Sequence, residues 1–346
     1  TDIALEFGLF DCLTGTIEYF KKDSKDLLFD VSQPASVGVT SIIQNIGKVT
    51  NSGVEIELDY NAFKNKDWSV SVGANATFVK NKIKNLPATM KENGYISGSK
   101  KWLEGKSIYE FWLRQWHGVD PQTGDGLYVA DVSKYNQGNI GTGDGNITQS
   151  QFDEYKKTVV TIDGKELTNS YTYAKYDFSG SSIPDVFGGF NVRVSYKNFD
   201  LAAVFSYQLG GQVLDTNYAT MMSMTEFGYA QSPDLLKAWK QAGDITEVPR
   251  IDNSAAHTTN IGQSYSTRWL TSSDYLNLRS VTIGYQFPKA WLSKVMLKSA
   301  RLNLTAENLF MLKARQGLNP MANYSGVTYN EYMPSRNITL GLNVSF

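Results

Sequence analysis

The chain has 346 residues, with 33 lysines and arginines against 34 aspartates and glutamates, and 41% of its residues are apolar. This near-neutral balance, without a dense basic stretch, excludes nucleic acid as the main partner. His117 and His257 are far apart in the sequence, so a histidine-based metal or catalytic centre has little support, and the single Cys12 cannot form an internal disulfide. No segment is long and apolar enough for a membrane-spanning helix.

Strict alternation of apolar and polar residues predicts nine strands along the chain. In chain order they cover about 3 to 11, 16 to 29, 54 to 62, 68 to 78, 190 to 196, 201 to 209, 275 to 287, 300 to 307 and 336 to 346. In the seventh, the apolar residues change from even to odd positions near Ser280, which a β-bulge or the membrane edge would explain. Residues 233 to 243 predict a short helix after Pro233.

Alternation by itself fits both a soluble β-sandwich and a membrane β-barrel. Strand length favours the barrel, because segments of about 10 to 13 residues suit a tilted crossing of a bilayer. Aromatic residues also cluster near both sets of strand ends, as amphipathic rings do at lipid headgroups. They are Trp68, Tyr196, Phe199, Phe287 and Phe346 at one end, and Phe78, Tyr207, Tyr275 and Phe310 at the other.

The links between the predicted strands alternate between short and long. Short links cover residues 11 to 15, 63 to 67, 197 to 200 and 288 to 299, and long ones cover 30 to 52, 80 to 185, 210 to 274 and 311 to 334. Outer-membrane barrels have this order, with tight periplasmic turns and large external loops. The apolar segment 108 to 119 is therefore predicted to lie in an external loop, since another crossing would break the alternation.

Nine strands leave two open edges, and an unpaired backbone edge that faces lipid is costly. We therefore expect the chain to be part of a larger barrel, whose other strands lie on another polypeptide or on an upstream segment. The fold class predicted is all-β, an antiparallel transmembrane β-barrel, of which this chain supplies about nine C-terminal strands.

An ordered set of segments resembles the C-terminal part of SusC/RagA-type TonB-dependent transporters of the Bacteroidota outer membrane. The segments are NIGKVTNSGVEIELDY (45 to 60), ANATFVKNKIKNL (74 to 86), GVDPQTGDGLYV (118 to 129), GGFNVRVSYKNFDLAAVFSYQLGG (188 to 211), DYLNLRSVTIGYQFP (274 to 288) and ARLNLTAENLF (300 to 310). The resemblance covers most of the chain outside the variable loops, and no single motif decides it.

The resemblance implies a barrel of roughly 22 strands with a plug domain upstream of Thr1. It implies four kinds of partner: the rest of the barrel and its plug, a SusD-like surface lipoprotein, TonB-ExbB-ExbD acting through the plug, and the barrel-assembly machinery. The terminal Phe346 resembles the aromatic signal that this machinery reads. The C-terminus would then lie on the periplasmic side of an outer-membrane protein embedded in lipid.

Charged residues on the predicted strands point away from the lipid-facing rows. They are Glu55, Glu57, Asp59, Arg193, Arg301 and Glu307, together with Lys197. Charges at this density need water or a polar plug beside them, so we expect them to face the lumen or the plug. Simple solvation, without a specific role, is the alternative for each one.

Cargo recognition, if this chain takes part in it, is expected in the aromatic-rich external loops. The candidate substrate-binding residues are Trp102, Trp112, Trp116, Tyr128, Tyr229 and Trp269. Aromatic faces beside amides and carboxylates suit oligosaccharides or peptides, but they equally suit loops that pack on themselves or on a lipoprotein. Residues 141 to 155 are similar to a calcium loop only at Asp144, so Asp144 is a weak Ca²⁺ candidate and no cofactor is expected.

The predicted function is part of an active importer of oligosaccharides or peptides, with no catalytic residue. A glycan hydrolase is an alternative, but Glu55 and Glu57 lie two apart on one strand face and share an environment, which gives no reason for different pKa values. A passive porin and an external adhesion or assembly protein are further alternatives. The identity of the cargo is not predicted.

Overall fold

A computed structural model of the chain describes residues 1–32, 38, 41–143, 145–223, 228, 230–252, 254, 257, 260–262 and 265–346. The first strands are β1 (Asp2–Leu9), β2 (Leu13–Ser32), β3 (Ser41–Lys64) and β4 (Trp68–Asn85). The connection that follows carries β5 (Tyr95–Ser97), β6 (Lys100–Trp102), β7 (Glu110–Arg114), β8 (Trp116–Val119), β9 (Gly126–Val129), β10 (Val159–Ile162), β11 (Lys165–Thr168) and β12 (Tyr176–Ser181). The remaining strands are β13 (Val186–Tyr196), β14 (Phe199–Leu209), β15 (Gln212–Leu214), β16 (Leu270–Ser272), β17 (Tyr275–Gln286), β18 (Ser299–Glu307), β19 (Met311–Lys313) and β20 (Asn337–Ser345).

Short helices lie in the connections. They are α1 (Gln149–Thr158), α2 (Thr216–Met221), α3 (Lys289–Leu292) and the 3₁₀ turns Ala88–Met90, Gln137–Asn139, Tyr171–Tyr173, Pro233–Lys237, Thr267–Trp269 and Ser293–Val295. The helix predicted over 233 to 243 is thus a 3₁₀ turn of five residues, which Ser232 caps by accepting from the Asp234 amide at 3.3 Å. Within the described residues, no helix is long and apolar enough to cross a membrane.

Nine strands form one antiparallel meander, which we call the wall sheet. Its order is β1-β2-β3-β4-β13-β14-β17-β18-β20, and β19 pairs with β17 beside this path. The all-β antiparallel fold with nine wall strands, predicted from the alternation, is confirmed. Segment 108 to 119 contributes β7 and β8 to two separate small sheets, so it adds no strand to the wall.

The predicted long connection over residues 30 to 52 is shorter than expected, because β2 and β3 extend into it from both sides and stay paired. Polar contacts hold the extension. Thr50 Oγ1 donates to Asp23 Oδ1 at 2.7 Å, and Lys48 Nζ lies 3.2 Å from Asp23 Oδ2. Backbone pairing does not require alternating side chains, and residues 41 to 53 do not alternate, so the period-2 pattern does not reveal this part of β3.

Cross-strand register divides the wall sheet into an apolar and a polar face, because residues opposite each other in register share a face. One row of the apolar face consists of Phe7, Gly15, Leu58, Ala74, Phe190, Phe205 and Leu278. The adjacent row of the polar face consists of Glu6, Thr16, Glu57, Asn75, Gly189, Ser206 and Asn277. Leu340 on the apolar face is 69% exposed. An exposed apolar face of this extent is typical of a wall that contacts lipid.

Aromatic rings line the apolar face at the end with the short links. The ring centroids of Trp68 and Tyr196 are 4.3 Å apart, and those of Phe199 and Tyr285 are 4.5 Å apart. Phe287 continues the row, 5.1 Å from Tyr285. This row is the predicted aromatic belt at one membrane interface, with Tyr285 as an additional member.

The predicted irregularity in the seventh wall strand is a β-bulge. Val204 pairs with Ser280 while Phe205 pairs with Leu278, so Arg279 is an extra residue in β17. One extra residue shifts the apolar row from even positions before the bulge, such as Leu276 and Leu278, to odd positions after it, such as Ile283. Tyr275 is at an odd position before the bulge, opposite Gln208, so it lies on the polar face and its predicted place in the second aromatic belt is wrong.

The long connections fold together at the other end of the wall. We call this unit the loop body; it comprises the described parts of residues 86–185, 210–274 and 308–336. Its main core joins all three connections. The buried members are Phe111, Leu113, Leu214, Ala219, Met222, Leu235, Ala238, Val248, Trp269 and Val327. Burial of apolar side chains from three distant segments fixes the loops relative to one another.

Candidate functional site: a cationic cavity in the loop body

A cavity of about 380 Å³ opens in the loop body, within the size range of small-molecule sites. Its chemistry comes from three aromatic and three charged side chains. They are Trp116, Tyr218, Trp269, Glu247, Arg268 and Arg315. These residues come from distant parts of the sequence, and the main core brings them together.

Local hydrogen bonds place the two walls that carry Trp116 and Arg268. Trp116 begins β8, and its backbone amide donates to Thr267 Oγ1 at 2.9 Å. Thr267 starts the 3₁₀ turn that presents Arg268 and buries Trp269. This hydrogen bond to the Thr267 side chain attaches the start of β8 to the turn, and it helps to set the position of Arg268 relative to Trp116.

Arg268 is a cation held between aromatic rings. Its Cζ lies 4.7 Å from the Trp116 ring centroid and 4.3 Å from that of Trp269, and its Nη1 donates to the Ile261 carbonyl at 3.1 Å. Within the described residues, no carboxylate lies within 4.0 Å of it. Burial lowers the pKa of Arg268 to about 10, so the guanidinium still carries its charge at pH 7. Cation–π contacts offset part of the desolvation of this charge.

Arg315 differs from Arg268 because it has an acidic partner. Its Cζ lies 3.6 Å above the Tyr218 ring, and its Nη1 is 3.3 Å from Asp215 Oδ2. Asp215 is buried and also caps α2, accepting from the Tyr218 amide at 3.0 Å. Its charge therefore offsets that of Arg315, which leaves Arg268 as the less compensated cation of the cavity. Burial, followed by a hydrogen bond to Asp234, raises the pKa of the Tyr218 hydroxyl.

The cavity also contains groups that accept hydrogen bonds. Glu247, an exposed residue, is one of its lining residues, and so is His117. Thr267 also lines it, and its hydroxyl, which accepts from Trp116, can still donate one hydrogen bond. The cavity can thus pair with a negative group at Arg268 and with hydroxyl donors at Glu247.

Two of the predicted aromatic residues, Trp116 and Trp269, meet in this cavity, although Trp269 is only 1% exposed and mainly belongs to the core. Tyr128 contacts the edge of Trp116 at a centroid distance of 5.1 Å, but it is fully buried. Its hydroxyl donates to the Asn260 carbonyl at 2.7 Å, and burial raises its pKa. The structure gives Tyr128 a packing role.

Trp102 and Trp112 lie elsewhere in the loop body. Trp102 packs on a small core that includes Val49 and Ile83, and its Nε1 donates to the Ile108 carbonyl at 3.2 Å. Trp112 contacts the rings of Tyr176 and Phe178 and lies under Lys101 Nζ, 4.1 Å from its centroid. The structure does not bring these two residues to the cavity.

Two further candidates, Tyr229 and Asp144, lie outside the described residues. Substrate contact by Tyr229 and calcium binding at Asp144 therefore stay predictions. Within the described ranges, no group of three or more His, Cys, Asp or Glu side chains is placed to hold a metal ion.

Six of the seven charged residues predicted to face the lumen or the plug lie on wall strands, on the polar face. They are Glu55, Glu57, Asp59, Arg193, Arg301 and Glu307. The seventh, Lys197, lies in the turn between β13 and β14. Arg301 makes a bidentate ion pair with Asp200, with both N–O distances 2.7 Å. The pair crosses Gly284 of the intervening strand, where a Cβ atom would lie 2.6 Å from Asp200 Oδ1. Phe346 follows β20 at an edge of the wall sheet and is 80% exposed.

A larger groove of about 660 Å³ lies on the apolar face and is lined by Phe190, Tyr207, Leu276 and Leu312. Ser272, Asp274 and Lys313 also line it, but most of its exposed surface is apolar. A polar cargo would find few groups there to orient it, whereas lipid chains would fit the exposed apolar face of which the groove is part. The cationic cavity is therefore the better candidate site.

Arg268, Arg315 and Glu247 were not predicted as site residues. A lone arginine or glutamate in a polar loop is ordinarily a solvated surface residue, so its identity carries little information. The one local signal is that Arg268 directly precedes Trp269. The cavity itself depends on contacts between segments more than 100 residues apart.

Comparison with known proteins gives matches to TonB-dependent receptors that cover nearly the whole of this chain. The chain is 28% identical over 364 residues to TonB-dependent receptor P3 of Formosa agariphila, covering 100% of this chain and 34% of that protein. It is 24% identical over 357 residues to TonB-dependent receptor SusC of Bacteroides thetaiotaomicron, covering 99% of this chain and 31% of SusC. No family model matches the chain.

Solved structures show the same fold. The RagAB peptide importer in its closed-closed state superposes with a TM-score of 0.77 at 25% identity, covering 100% of this chain and 35% of the matched one. The RagAB peptide transporter gives a TM-score of 0.76 at 23% identity. The chain thus spans about a third of the length of the proteins it matches.

Along its whole length the chain is similar to a C-terminal part of TonB-dependent receptors, SusC among them, and it shares its fold with part of RagAB. These matches confirm the resemblance to the SusC/RagA type that the sequence predicted. The matched proteins are receptors and transporters, which agrees with the prediction that the chain is not an enzyme.

Proposed function

We propose that the chain forms part of a TonB-dependent active importer that takes oligosaccharides or peptides across the outer membrane. The observation that carries the proposal is the wall sheet, whose apolar face suits lipid while its polar face carries the charges of a wet interior. The loop body, with its cationic cavity at one end of this wall, is then the part of the chain that meets cargo. The relatives support import, and RagAB is by its name a peptide importer.

Growth of a deletion strain on individual glycans and peptides tests this proposal. We expect a growth defect confined to one class of nutrient, and uptake of that nutrient that stops when the proton-motive force is dissipated. Uptake that persists after dissipation would favour a passive porin, and no defect on any nutrient would count against import. Hydrolysis of a glycan by the purified receptor would favour an enzyme.

The proposed topology has the loop body outside the cell and the short links in the periplasm. A tag inserted between residues 141 and 150 should be labelled on intact cells, whereas a tag at Asn65, in the link between β3 and β4, should not. Labelling at Asn65 from outside would reverse the assignment. The Asn65 side chain accepts from the amides of Asp67 and Trp68, which marks a tight turn.

We further propose that the receptor works with a SusD-like surface lipoprotein, with TonB-ExbB-ExbD and with the barrel-assembly machinery. The matches to SusC and RagAB support a lipoprotein partner. Purification of the full-length receptor from outer membranes should recover such a lipoprotein in equal amount. Recovery of the receptor without it, in detergents that preserve other outer-membrane complexes, would contradict this part of the proposal.

A further inference from the structure

The charge of Arg268 is the feature of the cavity that points to a ligand. The guanidinium of Arg268 has five N–H donors, of which Nη1 donates to the Ile261 carbonyl, and one carboxylate can accept from two of the others. Arg315 of the same cavity is balanced by Asp215, and Glu247 also lines the cavity. A ligand carboxylate would supply the counter-charge that Arg268 lacks within the described residues.

The surroundings of Arg268 indicate the kind of molecule that carries this carboxylate. Glu247 repels a second carboxylate at its own position, but it accepts hydrogen bonds from hydroxyl groups. A sugar acid offers a carboxylate and several hydroxyl donors on one ring, so it can satisfy Arg268 and Glu247 together. The end of a peptide offers a carboxylate with a backbone N–H donor beside it on a flexible chain. A sugar acid presents several donors at fixed positions on one ring, so it matches the cavity better.

We propose that the cavity binds the carboxylate of a uronic acid residue through Arg268, and that the cargo is an acidic oligosaccharide. The inference rests on the proposed import function and narrows its substrate class. Arg268 supplies charge-assisted hydrogen bonds, Glu247 accepts from ring hydroxyls, and Trp116 and Tyr218 limit the cavity on its apolar sides.

Binding to the purified full-length receptor, with any lipoprotein that accompanies it, tests the proposal. The probes are oligogalacturonate, oligomannuronate and glucuronoxylan oligosaccharides, each with a counterpart in which the carboxylates are reduced to hydroxymethyl groups, and short acidic peptides. Isothermal titration calorimetry should show at least one acidic oligosaccharide that binds about tenfold or more tightly than its reduced counterpart. This preference should weaken as salt is raised.

Substitution Arg268→Gln should reduce the preference for the acidic form by about 10- to 100-fold. Arg268→Lys should retain part of it, because the charge remains while the planar donor pair is lost. Glu247→Gln should weaken the binding of the reduced ligand, because a neutral amide accepts hydrogen bonds from hydroxyl groups less strongly than a carboxylate does. It should not lower the preference for the acidic form, since it removes a negative charge and no positive one. Arg336→Gln, at an exposed arginine outside the cavity, is the matched control and should behave as wild type. The ratio of acidic to reduced ligand affinity does not depend on the fraction of receptor that is folded.

Three results would overturn the proposal. One is that no acidic oligosaccharide of the panel binds more tightly than its reduced counterpart, and another is that Arg268→Gln leaves the preference intact. The third is binding of the acidic peptides alone, with loss in Arg268→Gln, which would make the site a peptide site. Import itself would stand if uptake driven by the proton-motive force continues while these tests fail, and it would fail separately if no nutrient depends on the receptor.

Discussion

Trp269→Ala is expected to open the loop body and to reduce uptake through loss of structure. Trp269 is 1% exposed and packs with Tyr218 at a centroid distance of 5.9 Å, within a core that joins three connections. Removing a large aromatic side chain from such a core costs about 3–5 kcal/mol. The equilibrium for local opening should therefore rise roughly 100-fold to several thousand-fold.

Hydrogen exchange of backbone amides in the full-length receptor measures this opening. The amides of β16, which directly follows Trp269, should lose protection by that factor in the variant. Leu236→Ala is the control, because Leu236 is 79% exposed on the 3₁₀ turn beside the buried Leu235, and it should exchange as wild type. Wild-type protection of β16 in Trp269→Ala, together with lost uptake, would refute the packing role and favour direct contact with cargo.

Three further outcomes are expected. Gly284→Ala should separate Asp200 from Arg301 and lower the unfolding free energy of the receptor by about 1 kcal/mol, which a lower midpoint of guanidinium unfolding would show. Gly8→Ala is the control, because a Cβ atom there has no neighbour closer than 4.0 Å. Equal midpoints for the two variants would contradict the argument. Burial lowers the pKa of Lys100 from 10.5 to about 7. Between these values the folded loop body binds fewer protons than the unfolded one, so its stability should rise with pH. Hydrogen exchange of the β7 amides measures this rise, which Lys100→Met should abolish; an unaltered pH dependence in the variant would count against it. Phe346→Ser should lower the amount of receptor in the outer membrane on immunoblots, whereas a normal amount would argue against an assembly signal.

The wall was predictable because its two faces have opposite solvents. Period-2 alternation indicates which side chains face lipid. The face of a residue such as Leu340 can therefore be predicted without knowing which strands lie beside it. The bulge at Arg279 was visible for the same reason, since one extra residue moves the apolar row from even to odd positions. Residues 41 to 53 pair with β2 but do not alternate apolar with polar side chains, so the prediction began β3 too late.

The candidate site was predictable only in part. Aromatic content marked the loops, but it did not separate Tyr128, which is fully buried, from Trp116, which lines the cavity. That difference depends on burial, and burial in the loop body arises from segments distant in sequence. Arg268 carried almost no signal in the sequence, because its meaning comes from the two rings around it and from the absence of a carboxylate within 4.0 Å among the described residues.

The sequence by itself determined the antiparallel wall, the number of its strands and the faces that they present. Each strand repeats one local pattern, because one of its faces meets lipid and the other meets a polar interior along its whole length. Tertiary structure alone decided the cavity and the partner of each charge. It also decided that Arg315 has an acidic partner, Asp215, whereas the described residues place no carboxylate within 4.0 Å of Arg268. Long-range packing sets these features, and the electrostatic meaning of a charge depends on distances in space that no local pattern encodes.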